Sequence, residues 1–200
     1  MLLRSCDASS LVIDTLSDWA RGQNSVVACF YFDFAAQKEQ SPTSILSSLL
    51  KQVVGGLERF PLKIVQAFRD RENAIWGQKL KLGELVEMLQ EITSSRPTFI
   101  CLDAVDECMA EYRAKLLDSL GQILHKSPNT RIFLAGRLHI RDEVEKHLVG
   151  RVAAVSITPS KDDIIRFLRA KLREDTTPEA IDKRLEEDMI KIIPETVSEM

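Results

Sequence analysis

The stretch TFICLDAVDEC, residues 98–108, decides the fold of this chain of 200 residues. It begins as a nearly pure apolar run that ends in an acid, Asp103, and two further acids, Asp106 and Glu107, follow shortly after it. A run that is apolar on both faces is typical of a strand in a parallel sheet covered by helices. Such sheets bind ligands beyond the carboxyl ends of their strands, so the sequence predicts three carboxylates in one crevice.

Three more β-rich runs share this character, and segments with helical periodicity separate them. The runs are VVACFYFDF at 26–34, RIFLAGR at 131–137 and VAAVSI at 152–157. Apolar residues at helical spacing predict helices over 41–54, 58–72, 80–94, 112–124, 140–148 and 164–172. This alternation of strands and helices predicts an α/β fold, an open parallel sheet with helices on both faces.

The carboxyl end of the chain has a different pattern. After Pro178 a further helical stretch carries Ile181, Leu185, Met189 and Ile193, and acids outnumber bases there. We therefore expect one α/β domain over residues 1–175 and the start of a following helical region over 176–200.

Composition and charge exclude several classes of protein. The chain is 44% hydrophobic and 28% charged, which is ordinary globular usage. Its net charge of -3 provides no general field for nucleic acid or for an anionic membrane. Four cysteines form no CxxC pair, and no run approaches the roughly 18 apolar residues of a membrane span. We expect a cytoplasmic protein without nucleic-acid or membrane partners.

The acids after the buried strand have two interpretations. Asp103 at a strand end suits Mg²⁺, because this ion takes one or two fixed carboxylates together with waters and phosphate oxygens. Asp106 and Glu107 would then position a water for attack on a terminal phosphate. The simpler alternative is a strand that meets an acidic loop without any ligand.

The same residues resemble a known motif. Four apolar residues followed by Asp103, a small residue, an apolar residue, Asp106 and Glu107 look like the extended Walker B motif of NACHT domains, which belong to the STAND class of P-loop NTPases. The resemblance covers about residues 9–173 and is nearest to fungal NLR-like members related to the nephrocystin-3 N-terminal region. Its other parts are the strand Val26–Phe34, the helix Ser44–Val54, the strand Ile132–Arg137 and the stretch Ile157–Leu168.

This resemblance implies a function and a role for each residue. It implies a P-loop NTPase fold and a signalling switch that uses ATP or GTP with Mg²⁺. In that scheme Asp103 holds the metal through the nucleotide, Asp106 and Glu107 are catalytic, and Arg137 is a nucleotide-binding sensor. The nucleotide-bound form of such switches promotes oligomerisation, so we expect protein partners or self-association.

One departure from the family pattern changes these expectations. The family carries a strand and a Gly-x-x-x-x-Gly-Lys-Ser/Thr loop before the segment that resembles Ser9–Trp19, whereas this chain has MLLRSCDA there. We therefore expect an amino-terminally truncated or degenerate domain that lacks its central first strand, so that 152–157 pairs poorly. Such a chain would bind no nucleotide alone and be inactive as an enzyme. The alternative is a non-enzymatic module for protein–protein interaction.

Other candidate residues have weaker support. His125, His139 and His147 match no zinc spacing, so solvated helix positions are expected for them. Trp76 resembles a tryptophan that family members carry in this region, although an aromatic residue covering a helical insertion needs no ligand.

Overall fold

The structure is a computed structural model that describes residues 5–57, 65–66, 80–148, 152–157, 160–174 and 182–198. Most of the helix predicted over 58–72 lies outside the described residues, as does Trp76; residues 65 and 66 are helical. The chain forms two compact units, Met1–Val152 and Ala153–Met200. The boundary that we expect near residue 175 stays a prediction.

The first unit contains a parallel sheet of three strands in the order β1-β2-β3. These strands are β1 (Val26–Tyr31), β2 (Thr98–Asp103) and β3 (Thr130–Leu134). Val26 pairs with Thr98, which pairs with Thr130, and the register continues along all three strands. The predicted α/β class and the parallel order of these runs are therefore confirmed.

Strand lengths differ from the sequence prediction. The run at 152–157 was expected to be a fourth strand that pairs poorly, and it forms no strand and is exposed along its whole length. A strand exists only where its backbone groups bond to a neighbour, and the described part of the sheet ends at β1 and β3. β1 also ends earlier than predicted, because the Asp33 side chain accepts a hydrogen bond from Ala35 N and starts the 3₁₀ turn Phe34–Ala36.

Three helices cover one face of the sheet with an apolar core. They are α2 (Pro42–Gly55), α3 (Leu82–Ser95) and α4 (Ala110–Lys126). Ser41 caps α2 by accepting a hydrogen bond from Ser44 N at 3.2 Å, as the Ser-Pro pair predicts. The apolar stripes on these helices pack against the inward-facing strand residues in one cluster, whose fully buried members include Ala28, Leu49, Leu89, Ile100 and Leu120.

The opposite face is covered by α1 (Ser5–Ala20), which runs antiparallel to the strands. Near its carboxyl end Trp19 contacts Phe99 edge-to-face, with ring centroids 5.4 Å apart, and Phe99 lies at the start of β2. Near its amino end Ser10 is hydrogen-bonded to Tyr31, the last residue of β1. The amino end of α1 is therefore at the carboxyl edge of the sheet, and helices lie on both faces as expected.

Three further helices complete the described chain. In the first unit, α5 (Arg141–His147) follows β3 through the 3₁₀ turn Leu138–Ile140. In the second unit, α6 (Lys161–Glu174) and α7 (Lys183–Ser198) contact each other. Within the ranges that the structure describes, no helix has the length and apolar character needed to cross a membrane.

Candidate functional site

The carboxyl edge of the sheet brings together all four residues that the sequence singles out. Asp103 is the last residue of β2, and Asp106 and Glu107 belong to the 3₁₀ turn Val105–Glu107 that follows it. Arg137 lies in the loop after β3. In a parallel sheet the ends of neighbouring strands meet at one edge, which explains why residues far apart in sequence converge here.

Ala104 turns the chain from the strand into the acidic turn. Its backbone is left-handed, with φ 56° and ψ 43°, which is uncommon for a residue other than glycine. Beyond the turn Val105 N donates to Ala135 O at 2.9 Å, and Ala135 N donates to Leu102 O at 2.9 Å. The segments that follow β2 and β3 thus remain bonded to each other, which directs Asp106 toward the loop after β3.

Asp106 and Arg137 form a two-point contact. Arg137 N donates to Asp106 Oδ1 at 3.1 Å, and Arg137 Nε lies 3.4 Å from Asp106 Oδ2. The Asp106 side chain is 7% exposed and that of Arg137 is 79% exposed, so Asp106 anchors a guanidinium that faces solvent. Gly136 permits this approach, because a Cβ there would lie 3.1 Å from Asp106 Oδ1 and 3.0 Å from Ile140 Cδ1.

Glu107 is held by the loop after β1. Phe34 N donates to Glu107 Oε2 at 3.1 Å, and the Gln37 side-chain amide donates to the Glu107 carbonyl oxygen. These contacts anchor both the side chain and the backbone of Glu107. One carboxylate oxygen is therefore engaged by the protein itself.

Asp103 is buried next to Tyr31, its register partner on β1. Phe32 N donates to the Asp103 carbonyl oxygen at 3.1 Å, which extends the pairing of β1 and β2 beyond the strands. Burial raises the pKa of Tyr31; Cys29 and Asp103 add to this rise, and the hydrogen bond to Ser10 opposes it. The negative charge of Asp103 is thus felt by the phenol at the same edge.

Arg113 belongs to this site although the sequence gives no signal for it beyond its positive charge. Its Nη1 donates to the carbonyl oxygens of Asp106, at 3.4 Å, and Cys108, at 3.0 Å. Its Nε forms an ion pair with Glu143 Oε2 at 2.7 Å. These partners come from a turn and from α5, so only the folded chain brings them together.

The carboxylates of Asp103, Asp106 and Glu107 fit a metal ion only if other ligands complete its coordination. In the described ranges no group of three or more His, Cys, Asp or Glu side chains is placed to hold a metal ion. One oxygen of Glu107 is bonded to Phe34 N, and both oxygens of Asp106 contact Arg137. This arrangement fits Mg²⁺ that arrives with phosphate oxygens and water, with Asp103 as the anchoring carboxylate, and does not fit a cage made of protein ligands.

His125 and His147 lie away from this edge, whereas His139 is exposed in the turn Leu138–Ile140 directly after Arg137. His147 Nδ1 is 2.6 Å from Asp118 Oδ1, and His147 and His125 line a groove of about 630 Å³ between α3 and α4. On α4, Lys115 forms an exposed ion pair with Glu111 at 2.9 Å.

A parallel sheet of three strands with helices on both faces, and with acids beyond its second strand, defines an α/β domain. The chain belongs to the family described as nephrocystin 3, N-terminal, whose sequence profile matches residues 8–137. This confirms the predicted relation to the nephrocystin-3 N-terminal region, and all four site residues lie inside the match. No curated protein matches the sequence.

Two solved structures resemble the chain. The ORC1 protein of Aeropyrum pernix, solved in complex with DNA, aligns with a TM-score of 0.51 and 19% identity over 96% of this chain and 45% of that protein. A Walker-type ATPase of Pyrococcus abyssi aligns with a TM-score of 0.46 and 14% identity over 92% of this chain and 63% of that protein. The chain thus spans less than two thirds of the length of either structure, and the first likeness concerns the fold alone.

Proposed function

We propose that the chain is the acid-and-sensor part of a nucleotide-dependent signalling switch of the NACHT type, in the STAND class, as in fungal NLR-like proteins. The observation that supports this most directly is the convergence of Asp103, Asp106, Glu107 and Arg137 at one edge of the sheet, with Asp106 bonded to Arg137. In an acidic loop without a ligand, nothing would require Arg137, from the loop after β3, to contact Asp106 at two points.

Each residue has a role in this proposal. Asp103 holds Mg²⁺ through the phosphates of ATP or GTP, and the ion neutralises phosphate charge when it is bound. Asp106 fixes the orientation of Arg137, whose exposed guanidinium contacts the terminal phosphate. Glu107 positions the attacking water through its second carboxylate oxygen, while Phe34 N–H holds the first.

The acid-and-sensor part alone is not expected to hold a nucleotide. The 200 residues contain no Gly-x-x-x-x-Gly-Lys-Ser/Thr loop, although the amino end of α1 lies at the same edge, where phosphate is favoured. Each charge-assisted contact of such a loop contributes about 1.5–3 kcal/mol, so the absence of three weakens binding by about three to six orders of magnitude. We therefore expect neither binding nor hydrolysis of ATP or GTP by these residues alone.

The test supplies what this sequence lacks. A family-type strand and Gly-Lys-Thr loop are fused ahead of Ser9, and ATP binding is measured with and without Mg²⁺ for the chain and for the fusion. The fusion should bind and the chain should not. Asp103→Ala should then abolish Mg²⁺-dependent binding, while Glu111→Ala, which removes an exposed acid paired with Lys115, should leave it unchanged.

Two results would overturn the proposal. Saturable ATP binding by the 200-residue chain would contradict the need for the phosphate-binding loop. A rescued fusion that is insensitive to Asp103→Ala would remove Asp103 from the site.

A second candidate function is a non-enzymatic interaction module with the same fold, acting on a protein partner or on a second copy. Phe34 and Leu138 favour it, since they flank the acids and are 70% and 71% exposed. A fusion that binds no nucleotide, together with a chain that associates, would support this candidate.

Three free cysteines among the described residues, Cys29, Cys101 and Cys108, suit the cytoplasmic location that we propose for either function.

A further inference from the structure

Arg113 makes an unusual set of contacts for a residue near the start of a helix. Its side chain is only 11% exposed, and it joins the ion pair with Glu143 Oε2 to two hydrogen bonds on the carbonyls of Asp106 and Cys108. A guanidinium withdrawn from water is stable only where its donors are satisfied in a fixed geometry. Arg113 therefore holds its partners in one relative arrangement.

Residues 104–108, which include these acids, are called the acid segment below. Two sets of contacts link this segment to the chain that leads into α5. At one point Asp106 is bonded to Arg137, which directly precedes the turn leading into α5. At a second point Arg113 joins the carbonyls of the acid segment to Glu143 in α5 itself. The acid segment and the chain from Arg137 through α5 are thus linked twice.

We propose that Arg113 is a positioning residue that sets the conformation of the acid segment and couples it to α5. This inference rests on the proposed function for its meaning, because it makes α5 the element through which occupancy of the nucleotide site is transmitted. Displacement of α5 alters the Arg113–Glu143 pair, and the pair in turn alters where Asp106 and Glu107 are held.

The chain contains a matched pair of cysteines that can report on this coupling. Cys108 lies in the acid segment and Cys101 lies in the middle of β2, and both are buried. Burial raises the pKa of each thiol to about 11; at Cys108 the charge of Arg113 opposes this rise and the charge of Glu143 adds to it. Loss of Arg113 without opening would therefore slow alkylation of Cys108, so faster labelling of the Arg113 variants reports exposure. Opening of the acid segment alone exposes Cys108, whereas unfolding of the sheet exposes both.

The experiment measures the alkylation rate of each cysteine in the nucleotide-free chain of 200 residues by N-ethylmaleimide labelling and peptide mass spectrometry. Arg113→Met should accelerate labelling of Cys108 by about ten- to a hundredfold and leave Cys101 unchanged. Glu143→Gln, which keeps an acceptor without the charge, should produce a smaller increase. Lys115→Met, which removes an exposed ion pair of the same helix, should match the parent.

Arg113→Lys tests the geometry and keeps the proposal falsifiable where the methionine variant does not fold. An ammonium does not reproduce the separate donors of Arg113, whose Nε bonds to Glu143 and whose Nη1 bonds to both carbonyls, so partial protection of Cys108 is expected. An unchanged Cys108 rate in the Arg113 variants would overturn the positioning role, and so would an equal rise at Cys101. A Glu143→Gln variant identical to the parent would overturn the coupling to α5. No nucleotide is involved, so these outcomes are independent of the ATP-binding test.

Discussion

At the scale of single residues, the conformation of Ala104 allows a sharp test. Its φ of 56° costs an L-residue about 1 kcal/mol relative to glycine, which adopts that region freely. Ala104→Gly should therefore leave the free energy of unfolding unchanged or raise it by up to about 1 kcal/mol. Urea denaturation measures this difference.

The control is a buried alanine in regular strand conformation. Ala28 lies in β1 and is fully buried, so Ala28→Gly should lower the free energy of unfolding by about 1 kcal/mol. If both glycine variants are destabilised equally, the left-handed backbone at Ala104 carries no strain.

The same scale shows how much of the site the sequence could predict. Asp103, Asp106, Glu107 and Arg137 are each adjacent to an apolar run, so strand-end reasoning brings them to one edge, and the structure places them there. The contacts from Phe34, Gln37, Arg113 and Glu143 could not be predicted. Phe34 acts through its backbone N–H, and Glu143 lies 30 residues from its partner Arg113, so no local pattern marks them.

At the scale of elements, apolar runs located the strands well because burial on both faces leaves a clear composition. The apolar run at 152–157 is predicted as a strand that pairs poorly, and the segment is exposed and forms no strand. Composition describes what a segment is able to bury. It does not state whether a hydrogen-bonded neighbour is available, and the described sheet provides one only for β1, β2 and β3.

In the described part of the sheet, the edge of β1 that faces away from β2 is bonded by a side chain of α2, which leads to a second prediction. Gln52 Oε1 accepts from Cys29 N at 2.9 Å, and Gln52 Nε2 donates to Cys29 O at 2.8 Å, so the amide takes the place of a neighbouring strand. Gln52→Leu keeps the size and removes both bonds, which should destabilise the chain by about 1–3 kcal/mol in urea denaturation. Lys51→Ala, an exposed neighbour, should change it by less than about 0.5 kcal/mol. A leucine variant as stable as the parent would contradict this role.

A third prediction concerns pH and the cap of α6. Asp163 accepts hydrogen bonds from Ser160 N at 3.2 Å and Ser160 Oγ at 2.6 Å, and these bonds hold the pKa of Asp163 below its ordinary value of 3.8. A lowered pKa means that folding favours the ionised form, so the stabilisation is present above pH 3.8 and is lost as the pH falls further. The thermal midpoint of the chain should therefore exceed that of Asp163→Asn near neutral pH, and the two should converge in acid.

The comparison for this cap is Asp162→Asn, which removes an identical charge from the same helical turn without the bonds to Ser160. Its midpoint should follow the parent's acid dependence more closely than that of Asp163→Asn. Parallel curves for the parent and Asp163→Asn across the acid range would show that the cap does not contribute through its charge.

At the scale of the whole molecule, the four site residues and the family match all lie within the unit Met1–Val152. The sequence predicts this α/β unit because apolar runs typical of buried strands alternate along the chain with segments of helical periodicity. It could not predict where contacts divide the chain, because that depends on which surfaces meet after folding.

The last prediction is that the chain associates through the apolar surface of its first unit. Large apolar side chains of this unit that are exposed include Leu11, Trp19, Phe34 and Leu138, with exposed fractions of 69%, 48%, 70% and 71%. Large exposed apolar side chains in one unit favour association. Sedimentation velocity should show a sedimentation coefficient that rises with concentration, and Phe34→Ser combined with Leu138→Ser should reduce the rise more than Leu185→Ser in the second unit. A compact monomer at every concentration, with no binding of an apolar dye, would contradict association and with it the form of the interaction module that acts on a second copy.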